Sequence, residues 1–216
     1  MVRNISSAVA FVILVIALGF SGPGLAEDSS TDDCAKTACR EGGFNLAIAV
    51  DKDHYTTIPV THSPYVLPDG SILIFPGETL VFELPMEEEK IGIPKFVAEY
   101  LPERPAERDP QAPSVTPRDL PKLDKTQLPA NSFVLSYGPM GREPGMNLDM
   151  WQNSPKTVKV DAVMSVIRRD KYIHARTSTC PLMPKIIGFE MWQDPMGPMI
   201  LQNIRILPDG SGMVCD

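Results

Sequence analysis

The sequence predicts an all-β protein, an antiparallel β-sandwich of the immunoglobulin-like or jelly-roll type. Three observations support this prediction. About nine or ten short segments are rich in β-branched and aromatic residues, proline, glycine or aspartate bounds each of them, and none extends into a long amphipathic helical pattern. Apolar residues that alternate with polar ones indicate strands with one buried face, and many such strands in succession favour a sandwich.

Four strands are predicted in the first half of the chain, at residues 44–50, 55–60, 72–75 and 79–84. In the fourth, Leu80, Phe82 and Leu84 share one face while Glu83 lies on the other, which is the period of two that a strand requires. Residues 86–101 fit either a short helix or a strand, because glycine and proline interrupt them.

Five strands are predicted in the second half, at residues 132–138, 157–169, 172–179, 186–192 and 199–207. The strongest of them is 157–169, in which Val158 and Val160 lie on the apolar face and Lys159 on the polar one. A tight turn at Asp170 joins this strand to the next, so the two form a predicted hairpin.

A proline-rich segment at 102–129 separates the two groups of strands. It holds seven prolines and ten charged residues, so it favours an extended connection without regular structure. It is either a linker between two domains or a strap across one sandwich. We favour the strap, because neither half has enough apolar strands for a core of its own. The predicted domain is therefore a single sandwich at 44–216.

The N-terminus has the pattern of a secretory signal peptide. Arg3 precedes an unbroken run of thirteen apolar or small residues, 8–20, and the small residues Gly24 and Ala26 follow. The run is shorter than the roughly 20 apolar residues that span a membrane. We expect cleavage after Ala26, which removes residues 1–26 and leaves a periplasmic or secreted protein without a membrane anchor. Residues 27–43 would be a mobile tail with a local disulfide.

Charge and cysteine usage restrict the partners and the chemistry. The net charge is −7 and no basic run is present, which argues against a nucleic-acid partner. The four cysteines all follow the predicted signal peptide, so we expect two disulfides, Cys34–Cys39 and Cys180–Cys215. The alternative is a four-cysteine zinc site, but the paired CxxC spacing typical of such sites is missing.

Two similar segments contain both tryptophans of the chain. Residues 149–153 read Asp-Met-Trp-Gln-Asn, and residues 190–194 read Glu-Met-Trp-Gln-Asp. Each precedes a proline-bearing turn, so both could end at one rim of the sandwich. Three interpretations fit the segments: core filling, a binding surface or a Cu(I) site of thioethers. The candidate binding surface consists of Met150, Trp151, Met191, Trp192, Met196 and Met199.

No local catalytic motif is present in the sequence. Asp51, Asp53, His54 and His62 are weak candidates for a metal site, because an aspartate-rich loop between strands is usually an ordinary turn. We therefore expect no catalytic residue and no cofactor.

Three functional hypotheses follow. The first is a non-enzymatic envelope module that binds another envelope protein or a small apolar ligand. The second is a periplasmic protein that handles Cu(I) through methionines. The third is a carbohydrate-active enzyme whose carboxylates come together only in the folded chain.

Overall fold

A computed structural model describes residues 34–51, 53–108, 119–140, 144–168, 171–212 and 214–215. The predicted signal peptide at 1–26 and the first part of the predicted tail lie outside the described residues. The same is true of residues 109–118 of the proline-rich segment and of Asp170 in the predicted turn.

The described residues form sixteen strands and one 3-10 turn at Lys125–Gln127. The strands are β1 (Cys39–Arg40), β2 (Phe44–Ala49), β3 (Tyr55–Val60), β4 (Ser63–Pro64), β5 (Ile72–Ile74), β6 (Glu78–Glu83), β7 (Met86–Glu87), β8 (Lys90–Ile91), β9 (Lys95–Tyr100), β10 (Glu107–Arg108), β11 (Ser132–Pro139), β12 (Met146–Gln152), β13 (Val158–Arg168), β14 (Lys171–Ser178), β15 (Ile187–Trp192) and β16 (Met196–Ile206). All nine predicted strands are present, with ends shifted by at most three residues. The ambiguous segment after residue 86 forms strands.

Two antiparallel sheets enclose the main core, which confirms the all-β, sandwich-like prediction. One sheet has five strands in the order β15-β12-β11-β6-β9, and the other has four in the order β14-β13-β16-β5. Side chains from both sheets meet in one buried cluster, among them Phe82, Phe133 and Leu148 from the first sheet and Val160 and Leu201 from the second. Each such side chain contributes roughly 1.5–3 kcal/mol through its removal from water.

A third sheet packs against the sandwich. Its strands lie in the order β10-β2-β3, and a smaller core of Leu46, Ile48, Ile58 and Val60 joins it to Phe75 and Ile167. Strand β10 belongs to the proline-rich segment, which also contains the 3-10 turn. The expectation that this segment has no regular structure is therefore wrong at these two places. Two contacts order these places, because the backbone of β10 pairs with that of β2 and Asp124 caps the turn.

Strands from both sides of the proline-rich segment lie in the same sheets. Strand β6, which precedes the segment, pairs with β11, which follows it, and β5 pairs with β16 in the same way. Whether the chain unfolds as one unit stays a prediction that limited proteolysis can test.

Both expected disulfides are present. The first joins Cys34 to Cys39 with a Cα–Cα distance of 5.6 Å, and the second joins Cys180 to Cys215 at 4.3 Å. The second bond ties the C-terminal residues to the segment that follows β14. Among the residues the structure describes, none of the cysteines is free, and no helix is long and apolar enough to cross a membrane.

Candidate functional site

The six residues of the predicted Met/Trp surface do not form one surface. Met150, Met196 and Met199 are buried in the main core, where they pack between the two sheets. Their assignment to a binding surface is wrong, because a thioether sealed in the core cannot reach a partner. Their burial gives them a packing role, which suits the adaptable shape of methionine.

The two tryptophans lie at opposite ends and on opposite faces of the β12–β15 pair. Trp151 is opposite Ile187, whereas Trp192 is opposite Met146, which is fully buried. Residues that face each other in an antiparallel pair share a face of the sheet. Trp192 therefore packs against the core, and Trp151 lies half-buried on the outer face. The expectation of a shared rim is wrong, because the two segments pair antiparallel to each other.

The structure instead exposes a row of apolar side chains on β15. Ile187, Phe189 and Met191 are 55%, 59% and 56% exposed, and they lie on the outer face of the five-stranded sheet. We call these three residues the outer row. Across the pair they face Trp151, Asp149 and Asn147 of β12. Of the six predicted residues, only Met191 and Trp151 thus belong to this outer face.

Strand β15 is also an edge strand. It pairs with β12 on one side, and on the other side no strand of the described residues pairs with it. Its one charged residue, Glu190, points to the core side, where its carboxylate accepts a hydrogen bond of 2.8 Å from the backbone N–H of Cys180. The outer row therefore combines exposed apolar side chains with an open backbone edge.

The core side of β15 is closely packed at Gly188. Leu182, in the segment that crosses between the sheets, lies so close to Gly188 that a Cβ atom there would be 2.9 Å from the leucine Cδ1. This inner face has room for glycine, for the hydrogen-bonded Glu190 and for the partly buried Trp192. Ile187, Phe189 and Met191 alternate with these residues and therefore lie on the outer face.

A groove of about 500 Å³ lies beside the outer row, between the sheet and the proline-rich segment. Leu101, Leu123, Trp151 and Ile187 provide apolar walls. The floor is polar, because the hydroxyl oxygens of Thr79 and Ser136 lie 2.8 Å apart there. The groove can therefore hold an apolar group and still offer hydrogen bonds.

Charged groups surround the same groove. Lys122 and Lys125 line it, and the Lys125 Nζ lies 6.0 Å from the ring centre of Trp151. Arg104 donates a hydrogen bond to Asp149, which also accepts one of 2.7 Å from the Asn147 side chain. Asp149 is thus held in an ion pair, which does not favour it as a catalytic acid. Neither Lys122 nor Lys125 forms an ion pair with another of the described residues.

A second groove of about 600 Å³ lies beyond Arg104, which lines both grooves. Tyr55, Met140 and Met191 form its apolar part. The outer row therefore borders a groove at each end, with Ile187 in the first and Met191 in the second.

The predicted metal candidates do not come together. Asp51 and His54 belong to the turn between β2 and β3, and His62 follows the far end of β3. The Asp51 carboxylate accepts backbone hydrogen bonds from Asp53 and His54 and lies 2.7 Å from the His54 Nδ1. The hydrogen bond from Asp53 and then the His54 ring hold the pKa of Asp51 below its ordinary value. This is ordinary turn chemistry.

His62 has different neighbours. Its ring lies close to the Cys34–Cys39 disulfide, with the potential ligand atoms of the three residues within 4.8 Å of one another. In the described residues this is the one group of three or more such ligands. Both sulfurs are in the disulfide, so neither is a thiolate that could bind a metal.

Sequence reasoning missed a buried ion pair under β9. Arg40 is 1% exposed, and its Nε donates to Glu78 at 2.8 Å. The guanidinium also donates to Ser63 Oγ and to the carbonyl oxygens of Pro64 and Leu73. Burial raises the pKa of the Glu78 carboxyl, although the charge of Arg40 acts in the opposite direction. The fully hydrogen-bonded guanidinium indicates a structural role.

Comparison with protein-family models, with curated proteins and with solved structures finds no match for this chain. The function is therefore inferred from the geometry of the described residues.

Proposed function

We propose that the protein is a non-enzymatic interaction module of the cell envelope or the extracellular space, and that it binds a protein partner along β15. The outer row is the observation that carries this proposal. Three neighbouring side chains of one edge strand are more than half exposed, and none of them carries a charge. Exposed apolar residues on an edge strand are typical of a site where another chain adds a strand or packs against the sheet.

The energetics favour a surface wider than the outer row. Burial of the remaining exposed half of Ile187, Phe189 and Met191 would contribute on the order of 3 kcal/mol. A dissociation constant near 1 μM requires about 8 kcal/mol. A partner would therefore also use the open backbone edge, or the neighbouring Met183 and Ile186, which are exposed as well.

The compartment is part of the same proposal. Two disulfides are typical of proteins that fold in an oxidising environment, and the sequence predicts a cleaved signal peptide. Both point to a protein that works outside the cytoplasm.

Site-specific photo-crosslinking in the native cell tests the proposal. A photoreactive phenylalanine analogue replaces Phe189 in one strain and Tyr172 in the other. Tyr172 is a matched control, because it is 46% exposed on β14, the edge strand of the opposite sheet. We expect discrete protein adducts at position 189 and none at 172. Absence of adducts at 189, or the same adducts at both positions, would show that β15 is not an interaction surface.

A second candidate function is binding of a small apolar anion in the groove beside Trp151. The apolar walls together with Lys122 and Lys125 favour a ligand that has an aromatic or aliphatic body and a negative charge.

Tryptophan fluorescence tests this second candidate with anilinonaphthalene sulfonate as the probe. In a Trp192→Phe background, Trp151 is the remaining tryptophan, so its quenching reports on the groove. Saturable quenching that weakens at least about 5-fold in Lys122→Gln/Lys125→Gln, about 1 kcal/mol, would support the candidate. Lys95→Gln is the control, because Lys95 lies on β9 and does not line the groove. Quenching that is unaffected by the groove variants would exclude it.

A further inference from the structure

We infer that the occupant of the β15 edge is a second copy of this chain. In this arrangement two β15 strands pair antiparallel about a twofold axis, and the five-stranded sheets join into one continuous sheet of ten strands. The inference rests on the proposed function for the location of the surface and adds the identity of the partner.

The sequence of β15 is self-complementary when the axis passes through Phe189. The phenylalanine of one copy then lies opposite the phenylalanine of the other, and Ile187 lies opposite Met191. Antiparallel partners share a face, so the two outer rows merge into one apolar stripe. This is what an isologous interface requires, since Ile187 of each copy contacts Met191 of the other.

The other possible registers are less favourable. In a continuous sheet the outer faces of the two copies lie on the same side. The twofold axis must then pass through a residue, because an axis between two residues would place the outward-facing Phe189 opposite the inward-facing Glu190. An axis through Glu190 would place two carboxylates opposite each other. An axis through Gly188 would leave Met191 without an apolar partner. Of these three axes, the one through Phe189 best satisfies charge and apolar contact.

The surroundings of the strand make the patch large enough to matter. Met183, Ile186, Ile187, Phe189 and Met191 are all exposed, so five exposed large apolar side chains fall within nine residues. A stable interface buries roughly 800 Å² on each partner, and a patch built on a single strand lies near the lower limit. We therefore expect a dimer that dissociates on dilution.

Net charge favours the same surface for self-association. The chain carries a charge of −7, so two copies repel each other through most orientations. The outer row bears no charge, and Glu190 is turned inward toward Cys180. Two copies can therefore meet here without like charges facing each other, because Glu190 of each copy lies opposite Gly188 of the other.

Sedimentation velocity of the purified, disulfide-bonded protein tests the inference. Between about 5 and 500 μM we expect the mean mass to rise from monomer toward dimer. Phe189→Lys and Met191→Lys should each weaken dimerisation at least 10-fold, because they place like charges in the stripe. Tyr172→Lys should leave it unchanged. A monomer throughout this range, or a dimer that these β15 variants do not weaken, would overturn the inference.

Cysteine crosslinking then tests the register. Phe189→Cys should form an intermolecular disulfide on mild oxidation, because the two sulfurs lie across the twofold axis. Ile187→Cys mixed with Met191→Cys should give a mixed disulfide, whereas Ile187→Cys alone should not, since its symmetry mates are about 13 Å apart. Equal crosslinking of every combination would contradict the proposed pairing. The thermal unfolding of each variant confirms that it is folded.

The outcomes also separate this inference from the proposed function. If purified protein stays monomeric while the photo-crosslinker at position 189 captures a different protein, the second copy is wrong and the interaction surface stands. If neither crosslinks nor dimers form, both are wrong.

Discussion

The five-stranded sheet has two edge strands, β9 and β15. Their core-facing sides are hydrogen-bonded in the same way, but their outer sides differ. On each edge strand one glutamate points toward the core rim, where Glu99 accepts a hydrogen bond of 2.7 Å from the Tyr65 hydroxyl and Glu190 accepts one of 2.8 Å from the Cys180 backbone. The outer side of β9 carries Lys95, which is paired with Glu83, whereas the outer row of β15 is wholly apolar.

The two edge strands also differ in the regularity of their pairing. The pairing of β9 with β6 shifts register between Val81 and Phe82, whereas the pairing of β15 with β12 is unbroken from Ile187 to Trp192. Bulges and charged residues are the means by which proteins prevent an edge strand from pairing with another chain. The β9 edge has both protections and the outer row of β15 has neither. The open edge at β15 is thus a local feature of this strand, which supports a role in association.

The largest expected effect concerns the β9 edge. The Arg40–Glu78 pair lies there beneath the aromatic stack of Tyr65 and Phe96. Glu78→Ala should lower the free energy of unfolding by about 3–5 kcal/mol, because it leaves a buried guanidinium without its counter-charge. Urea unfolding followed by circular dichroism measures the loss.

The matched control for this prediction removes both charges. Arg40→Met/Glu78→Leu should lose much less stability than Glu78→Ala, since no buried charge is then left unpaired. A loss below about 1 kcal/mol for Glu78→Ala itself would mean that the pair does not hold this edge closed.

The next effect concerns the core-facing side of β15. The Cys180–Cys215 disulfide supports this side, because the backbone N–H of Cys180 donates a hydrogen bond to Glu190. Cys180→Ser/Cys215→Ser should destabilise the protein by roughly 2–4 kcal/mol, because the unfolded chain regains the freedom of a long loop. The bond spans 35 residues, whereas Cys34–Cys39 spans five. Cys34→Ser/Cys39→Ser is therefore the control and should cost less. Equal losses for the two double variants would contradict this account.

The smallest expected effect concerns the outer row itself. Phe189→Ala should change the stability of the monomer by no more than about 0.5 kcal/mol, as at most exposed positions. Phe82→Ala, in the core of the same sheet, should cost about 3–5 kcal/mol. Unfolding at low protein concentration measures both. A loss above about 2 kcal/mol for Phe189→Ala would place the side chain in the packing of the monomer.

The strands that follow the simple alternation rule were predictable from the sequence. In β13 the predicted apolar face, which includes Val158 and Val160, is the buried face. Strand β15 reverses this rule, because its alternating apolar residues point outward and its glycine and glutamate point inward. A period-two pattern identifies a strand but does not say which face meets the core. That choice depends on the packing around the strand, which includes Leu182 beside Gly188 and which no local pattern reveals.

The candidate site was predictable only in part for the same reason. The repeated Met-Trp-Gln segments lie in β12 and β15, the strands of the proposed surface, but similarity of sequence did not place the two tryptophans together. Antiparallel pairing put Trp151 opposite Ile187 and Trp192 opposite Met146. The Arg40–Glu78 pair was also missed, because 38 residues separate its members and neither lies in a recognisable motif.

Amide hydrogen exchange at two protein concentrations tests the central claim that β15 is an open edge used for association. At low concentration the outward-facing amides of both β9 and β15 should exchange quickly, because no strand of the described residues pairs with these edges. At high concentration we expect slower exchange along Ile187–Trp192 and no change along Lys95–Tyr100. Exchange along β15 that stays as fast as along β9 at every concentration would contradict the claim that β15 binds a second copy. If it also stays fast with every partner captured at position 189, β15 is not an interaction surface.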